Sequence, residues 1–318
     1  MLAVVVDAQH QMSLAEVADP EPREGDLLVR VRAAGVNRAD LLQRMGRYPP
    51  PPGESEIMGL EIAGEVERAA GAFKVGDRVM ALLAGGGYAE RARVPSAQAM
   101  PIPGGLDFAQ AAAVPEGFLT AWLNLFMLAN LRAGETVVVH AGASGVGSAA
   151  LQLCRGVACA IVATSSPAKE AACRSLGATD WLARDEVPGK LAQRVQADVI
   201  LDTVGGAYFE ANLAALKLHG RLCCISTLAG GKATLDLGVL LYKRLTVMGS
   251  TVRSRSPAQK AKLVRDFSEK ALPRFDRGEL RPVLARTLPF AEAAAAHEAL
   301  QRSEVIGKIV LVPQAPIP

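Results

Sequence analysis

The run VVVHAGASGVGSAALQLCR, residues 137–155, constrains this chain more than any other. It opens as an apolar β-branched strand, passes through a glycine turn and becomes an alanine-rich helix. A strand that enters a helix this way leaves unpaired N–H groups at the helix start. The helix dipole favours a phosphate there. The flanking sequence repeats the pattern. GFLTAWLNLFMLANL reads as a buried helix. After it come strand TVVVHA, helix GSAALQLCRGV, strand AIVATS, helix PAKEAACRSLG, strand ADVILDTVG, helix AYFEANLAALK and strand GRLCCIST. Strands alternating with helices predict an α/β fold with a parallel sheet built from right-handed crossovers.

Residues 1 to about 115 have a different rhythm. Short β-rich runs such as LAVVVD, DLLVRVRAAGV, GLEIAGEVERA and DRVMALL are punctuated by Gly and Pro. This predicts a mostly antiparallel β domain. Lys74–Val79, KVGDRV, carries a turn signal. YPPPPG, residues 48–53, is a stiff loop, too short for a linker. From about residue 255 a long amphipathic helix, SPAQKAKLVRDFSEKALPRF, is expected to show a solvated Lys/Arg face. A second helix, FAEAAAAHEALQRS, and a closing strand, GKIVLV, follow.

With 318 residues, half of them hydrophobic, the chain has material for two domains. No apolar run is long enough for a membrane span, and the N-terminus reads as a first strand, not a signal peptide. The net charge of +3 is spread along the chain, so nucleic acid is not favoured as the main partner. The cysteines, Cys154, Cys159, Cys173, Cys223 and Cys224, form no framework and no metal spacing. Such usage fits a reduced, cytoplasmic protein without structural zinc. Cys223 and Cys224 read as buried strand residues and His140 as a core or turn residue; His219 and His297 are expected to have no partners.

At the glycine turn, Gly142 is expected to allow the tight bend, and Gly145 and Gly147 to keep side chains off the phosphates and the packed strand. Val146 lies between them in the first turn of the helix. Ser144 stands where the middle glycine of G-x-G-x-x-G is expected; either its Cβ pushes the phosphates slightly outward or its hydroxyl bonds one. The second strand of such a unit ends in Asp or Glu when the cofactor is NAD. Here Thr164, Ser165, Ser166 and Lys169 follow it, so hydroxyls and an ammonium are available for a 2′-phosphate. This predicts NADPH. Ser166 also reads as a helix N-cap, and the two roles are compatible.

Several stretches resemble one family: AAGVNRADLLQRMGRYPPPPG, GLEIAGEV, FKVGDRVMAL, GGYAERARVP, FLTAW, HAGASGVGSAALQL and IGKIVL, in that order. Together they are similar to the medium-chain dehydrogenase/reductases, in the quinone oxidoreductase (zeta-crystallin-like) branch. GSTVRSRS and ALPRF look most like its stress-inducible NADPH quinone oxidoreductases. The resemblance implies a GroES-like β domain of residues 1–117 and 255–318 and a Rossmann NADPH-binding domain of residues 118–254. It places an active site in the cleft between them and implies a homodimer or homotetramer.

The resemblance also implies absences. Zinc enzymes of the superfamily read A-G-V-C-[RH]-[ST]-D where this chain has Ala34-Gly35-Val36-Asn37-Arg38-Ala39-Asp40, and G-H-E where it has Gly59-Leu60-Glu61. Glu116 aligns with the third ligand. A site without thiolate or imidazole holds zinc poorly, so no metal is expected. The chemistry left is direct hydride delivery from nicotinamide, without flavin, to a quinone. An enone or 2-alkenal reductase is the alternative, and a non-catalytic NADPH-binding, crystallin-like or RNA-binding protein the second.

By the family pattern Asn37, Asp40 and Tyr48 serve catalysis. Tyr48 has two roles open, a donor to the substrate carbonyl oxygen or an aromatic packed on the proline run. Thr120 is expected at the nicotinamide, with back-bonding in its helix as the other option. Thr203, then Ser226, Thr227 and Leu228, are expected at the cofactor, at the ends of parallel strands. Ser250, Thr251 and Val252 are expected at the carboxamide. Arg184 stands where many relatives have a tyrosine beside the 2′-phosphate, which an arginine binds well.

Overall fold

The computed structural model describes residues 1–157 and 160–314; Cys159 lies outside them. In chain order the strands are β1 Leu2–Val6, β2 Met12–Glu16, β3 Asp26–Gly35, β4 Glu61–Arg68, β5 Arg78–Leu82, β6 Arg91–Pro95, β7 Ala99–Pro101, β8 Thr136–Val139, β9 Ala160–Ser165, β10 Asp180–Ala183, β11 Ala197–Asp202, β12 Leu216–Cys224, β13 Thr246–Gly249, β14 Leu284–Pro289 and β15 Lys308–Val312. They divide between two units, Met1–Leu119 with Val252–Pro318, and Thr120–Thr251.

The first unit is the GroES-like part. Its sheet runs β14-β15-β3-β4-β5-β7, with β6 on the flank of β3. Every pairing is antiparallel except β14 with β15. Alternate residues of β3, among them Leu27, Val29 and Val31, enter the core with Ile62, Val79 and Ala81. Phe290, Ala293 and Ala296, which belong to the C-terminal segment, close that core. The last strand is joined to the N-terminal sheet by Val310 opposite Gly35 and Leu311 opposite Ala34. That register brings Lys308 to the end of β3. The KVGDRV turn forms as expected, with Asp77 N–H donating to Lys74 O.

The second unit is the Rossmann part. Its six strands run β10-β9-β8-β11-β12-β13, all parallel. Strand order reverses between β8 and β11, the crevice where such sheets bind dinucleotides. Short strands β10 and β13 lacked a sequence signal, because a four-residue strand such as Asp180–Ala183 shows no period.

Two helices differ from expectation. The buried helix before β8 is α-helical over Pro115–Trp122, then widens into π-helical turns over Leu123–Leu128. The long C-terminal helix stops at Lys270, and a short helix resumes at Pro273, whose ring removes a helical N–H. Its face is also not wholly solvated: Lys260, Leu263, Val264 and Phe267 are buried. Among the described residues no helix is long and apolar enough to cross a membrane.

Candidate functional site

In the Rossmann unit the candidate residues gather at one edge, the carboxyl ends of the parallel strands. The turn after β8 leads to Ser144, Gly145, Val146 and Gly147. Ser166 and Lys169 follow β9, Arg184 follows β10, Thr203 follows β11, Ser226, Thr227 and Leu228 follow β12, and Ser250 and Thr251 follow β13. Thr120 stands apart from the strands, buried on the helix Pro115–Trp122, where its carbonyl accepts from Asn124 Nδ2 at 2.8 Å.

The glycine turn works differently from the sequence expectation. The left-handed residue is Ala141, with φ of 51°, not Gly142. Gly142 is required for packing instead: a Cβ there would press on Ala163 Cβ at 3.0 Å and Cys173 Sγ at 3.2 Å. A Cβ on Gly147 would sit 2.2 Å from Ala141 O, so Gly147 lets the helix close onto the turn. Ser144 is the N-cap of the helix Gly145–Arg155, and its Oγ accepts the Gly147 N–H at 3.0 Å. The oxygen thus accepts in the cap, and the hydroxyl hydrogen is still available to a phosphate. The Gly145 and Val146 N–H groups precede the intrahelical ladder and are the donors this turn presents.

Beneath the turn lies a polar network that the sequence reading missed. His140 Nδ1 lies 2.9 Å from Thr164 Oγ1 and Nε2 lies 2.7 Å from Asn212 Oδ1. Asn212 Nδ2 donates to Asp202 Oδ2, and Asp202 Oδ1 accepts the Val204 and Gly205 N–H groups. Burial lowers the His140 pKa, against the pull of Asp202 and Asn212. The only signal was a polar residue closing each apolar run, His140 and Asp202. Thr164 and Ser165 are thereby removed as phosphate ligands, since Thr164 faces His140 and Ser165 Oγ donates to Ser166 O. Ser166 and Lys169 are half-buried and Arg184 is exposed. The Arg184 main chain is pinned on both sides, by Ser165 O and by the Tyr208 hydroxyl. Thr203 Oγ1 makes a long contact to His140 O at 3.5 Å. Ser226 is half-buried, Thr227 and Leu228 are exposed, and Ser250 Oγ is buried without a partner.

In the GroES-like unit the other candidates converge on a buried charged centre. Asn37 Oδ1 accepts from Lys308 Nζ at 2.6 Å, and Asn37 Nδ2 donates to Glu61 Oε1 at 2.9 Å. Lys308 also pairs with Glu61, which is fully buried. Gly35 makes room for that carboxylate, because a Cβ there would overlap Glu61 Oε1. Asp40 is fully buried as well; it accepts from Asn37 N–H, Gly59 N–H and the Tyr88 hydroxyl. This makes Asp40 a support for the Asn37 loop and removes it from contact with a substrate. Burial raises its pKa to about 6, against those bonds and Lys308. Glu116 is raised further, to about 8, by burial and then by Glu61. Tyr48 is half-buried on its loop. Burial and Glu116 raise its pKa, and Arg253 lowers it. Val252 is buried in this unit. The histidines expected to be unpartnered are not: His297 Nε2 lies 3.3 Å from the Tyr88 hydroxyl, and His219 Nε2 lies 3.5 Å from Arg244 Nη1.

Residues 23–104 match the alcohol dehydrogenase GroES-like domain and residues 145–269 the zinc-binding dehydrogenase domain. A quinone oxidoreductase of Pseudomonas aeruginosa is 34% identical over 310 residues, 93% of each chain. The chain belongs to the medium-chain dehydrogenase/reductases, in the quinone oxidoreductase branch. The synaptic vesicle membrane protein VAT-1 homolog of Mus musculus is 32% identical, over 92% of this chain and 78% of that one. The quinone oxidoreductase of Thermus thermophilus, solved also with NADPH, superposes with a TM-score of 0.83 at 35% identity, covering 98% of this chain and all of that one. The chain is thus an oxidoreductase of a nicotinamide-dependent family. The zinc that one family description implies does not fit the donors present: an amide at Asn37, a buried Leu60, and the Lys308 ammonium hydrogen-bonded to that amide. A nicotinamide dinucleotide does fit the strand-end edge, where Gly145, Val146 and the orphaned Ser250 Oγ offer donors.

Proposed function

We propose that this medium-chain reductase takes NADPH and reduces quinones by direct hydride transfer, without zinc or flavin. The observation that carries the proposal is the Lys308–Asn37–Glu61 centre, in which an ammonium is bonded to the amide that stands at the cysteine position of the zinc motif. Without a Lewis acid, alcohol oxidation is disfavoured and an acceptor that is already electrophilic is required. When bound, NADPH supplies the hydride. The chain's part is to orient both reactants and to stabilise the oxygen that gains charge. Tyr48 donates a hydrogen bond or proton to that oxygen, and Asn37, held by Lys308 and Asp40, shapes the floor. Gly145 and Val146 hold the pyrophosphate. Ser166, Lys169 and Arg184 take the 2′-phosphate, and Thr120, Thr203, Ser226, Thr227, Leu228, Ser250, Thr251 and Val252 line the nicotinamide side.

The same proposal includes a cytoplasmic homodimer. Cys173, Cys223 and Cys224 are free thiols, which suits a reducing compartment. The test is NADPH consumption with 9,10-phenanthrenequinone, 1,4-benzoquinone and a 2-alkenal in parallel, before and after exhaustive chelation. Quinone turnover that survives chelation supports the reading. Turnover of the alkenal alone makes it an enone reductase. NADPH binding without any turnover makes it a non-catalytic binding protein.

A further inference from the structure

We propose that Arg253 is a positioning residue, which holds the Tyr48 phenol and its proline loop in place for donation to the substrate oxygen. The inference rests on the reading of Tyr48 as that donor. Arg253 is 4% exposed and lies just beyond the segment expected at the carboxamide. Its guanidinium donates in three directions: Nε to Ala84 O at 2.7 Å, Nη1 to Tyr48 O at 2.8 Å and Nη2 to Gln43 Oε1 at 2.7 Å. Its plane also lies over the Tyr48 ring, 5.1 Å from the centroid. One side chain thereby grips the ring and the main chain of the same tyrosine.

The loop needs such a grip. Pro49, Pro50, Pro51 and Pro52 have no N–H groups, so four consecutive residues cannot donate to anything. The loop has to be fastened through its carbonyls, and arginines fasten both ends: Arg253 at Tyr48 O and Arg23 at Gly53 O, 2.7 Å away. Gln43 extends the grip, since its Nε2 donates to Glu56 O at 2.9 Å while its Oε1 accepts from Arg253. The three acceptors of Arg253 are neutral, and the carboxylates that act on it, Asp40, Glu116 and Glu56, do so as charges at a distance. Burying a guanidinium among neutral acceptors is costly for stability alone, where an apolar side chain fills the space more cheaply. A planar fork that bonds along three axes is what orientation of a loop requires, and lysine lacks it.

The experiment is a double-mutant cycle. Arg253→Met and Tyr48→Phe are made singly and together, and kcat/KM for a quinone is compared with hydrogen exchange of residues 46–56. Arg253→Met is expected to lower kcat/KM about tenfold or more, the scale of a misplaced catalytic group, while adding less than about twofold to Tyr48→Phe. Exchange at 46–48 and 53–56 is expected to rise. Arg253→Lys keeps the charge without the fork, is expected to behave like Arg253→Met, and replaces it if that variant does not fold. Equal losses with and without the Tyr48 hydroxyl, or unchanged exchange in the loop, overturn the proposal. If the parent reduces no quinone or enone, the functional reading has failed, and the exchange data alone decide whether Arg253 orders the loop.

Discussion

Glu116 is a place where burial has a large consequence for pH. Its carboxyl, 4.5 in the unfolded chain, stands at about 8 in the fold, because burial and then Glu61 oppose its charge. The folded state therefore binds the proton more tightly, and its stability contribution is full below 4.5 and is lost as pH rises towards 8. Glu116→Gln, neutral at every pH, is expected to remove that slope. Melting temperatures measured across the window should fall more steeply for the parent than for the variant; parallel curves refute the burial account. Lys169 makes the second residue-scale prediction. No acid closes β9, so Lys169→Ala should weaken NADPH by on the order of 1–3 kcal/mol and leave NADH nearly unchanged, read by titration of both. Equal losses assign Lys169 to the fold and not to the 2′-phosphate. At this scale the sequence showed where the chain departs from the zinc motifs, because Asn37 and Leu60 are conspicuous in them. It did not show which side chain meets Asn37. Lys308 lies far along the chain from Asn37, and only the β15–β3 register brings them together. The same distance hid Arg253 from Tyr48.

The turn between β8 and its helix separates two roles that one glycine pattern conceals. Gly147 faces Ala141 O at 2.2 Å from an added Cβ, so Gly147→Ala should destabilise the unliganded protein by roughly 1–3 kcal/mol, the usual scale of overpacking. Gly145 opens the helix Gly145–Arg155, where alanine suits the backbone. Gly145→Ala should keep the unliganded melting temperature and lose the stabilisation that NADPH confers on the parent. Thermal melts with and without NADPH separate the two, and a Gly145→Ala variant with full NADPH stabilisation removes the phosphate role from that position. The strand–turn–helix was legible because a β-branched run, a glycine cluster and an alanine-rich run differ sharply in pattern. The division of labour inside it was not, since the strained φ falls on Ala141, a residue without a signal of its own. The Ser144 cap was likewise hidden, because a serine before a helix reads equally as a phosphate ligand.

At the scale of the whole molecule, the two-unit order was legible from the change of rhythm near residue 117, but nothing in the sequence marked a surface for a second copy. Strand β13 closes one end of the six-stranded sheet with a single neighbour, β12. An edge strand leaves backbone donors and acceptors unpaired and invites another strand. Apolar side chains are also exposed there: Val247 within β13, and Leu237, Leu241 and Tyr242 of the helix just before it in the chain, at 67%, 70% and 81%. Large exposed apolar side chains in such number are the kind that a contact surface covers. The proposed homodimer is expected to join two β13 edges and cover these side chains. The parent should then elute and scatter light at twice the 33.3 kDa mass of one chain. Val247→Lys with Tyr242→Glu, which puts charge on the edge and on the helix before it, should run as a single chain while still binding NADPH, because the proposed donors Gly145 and Val146 follow β8, which β11 and β12 separate from that edge. A parent that is monomeric at micromolar concentration, or a charged variant that keeps the parent's mass, rules out this edge as the interface. A mass of four chains abolished only in part by the two charges would place a second contact elsewhere, on a surface that β13 does not supply.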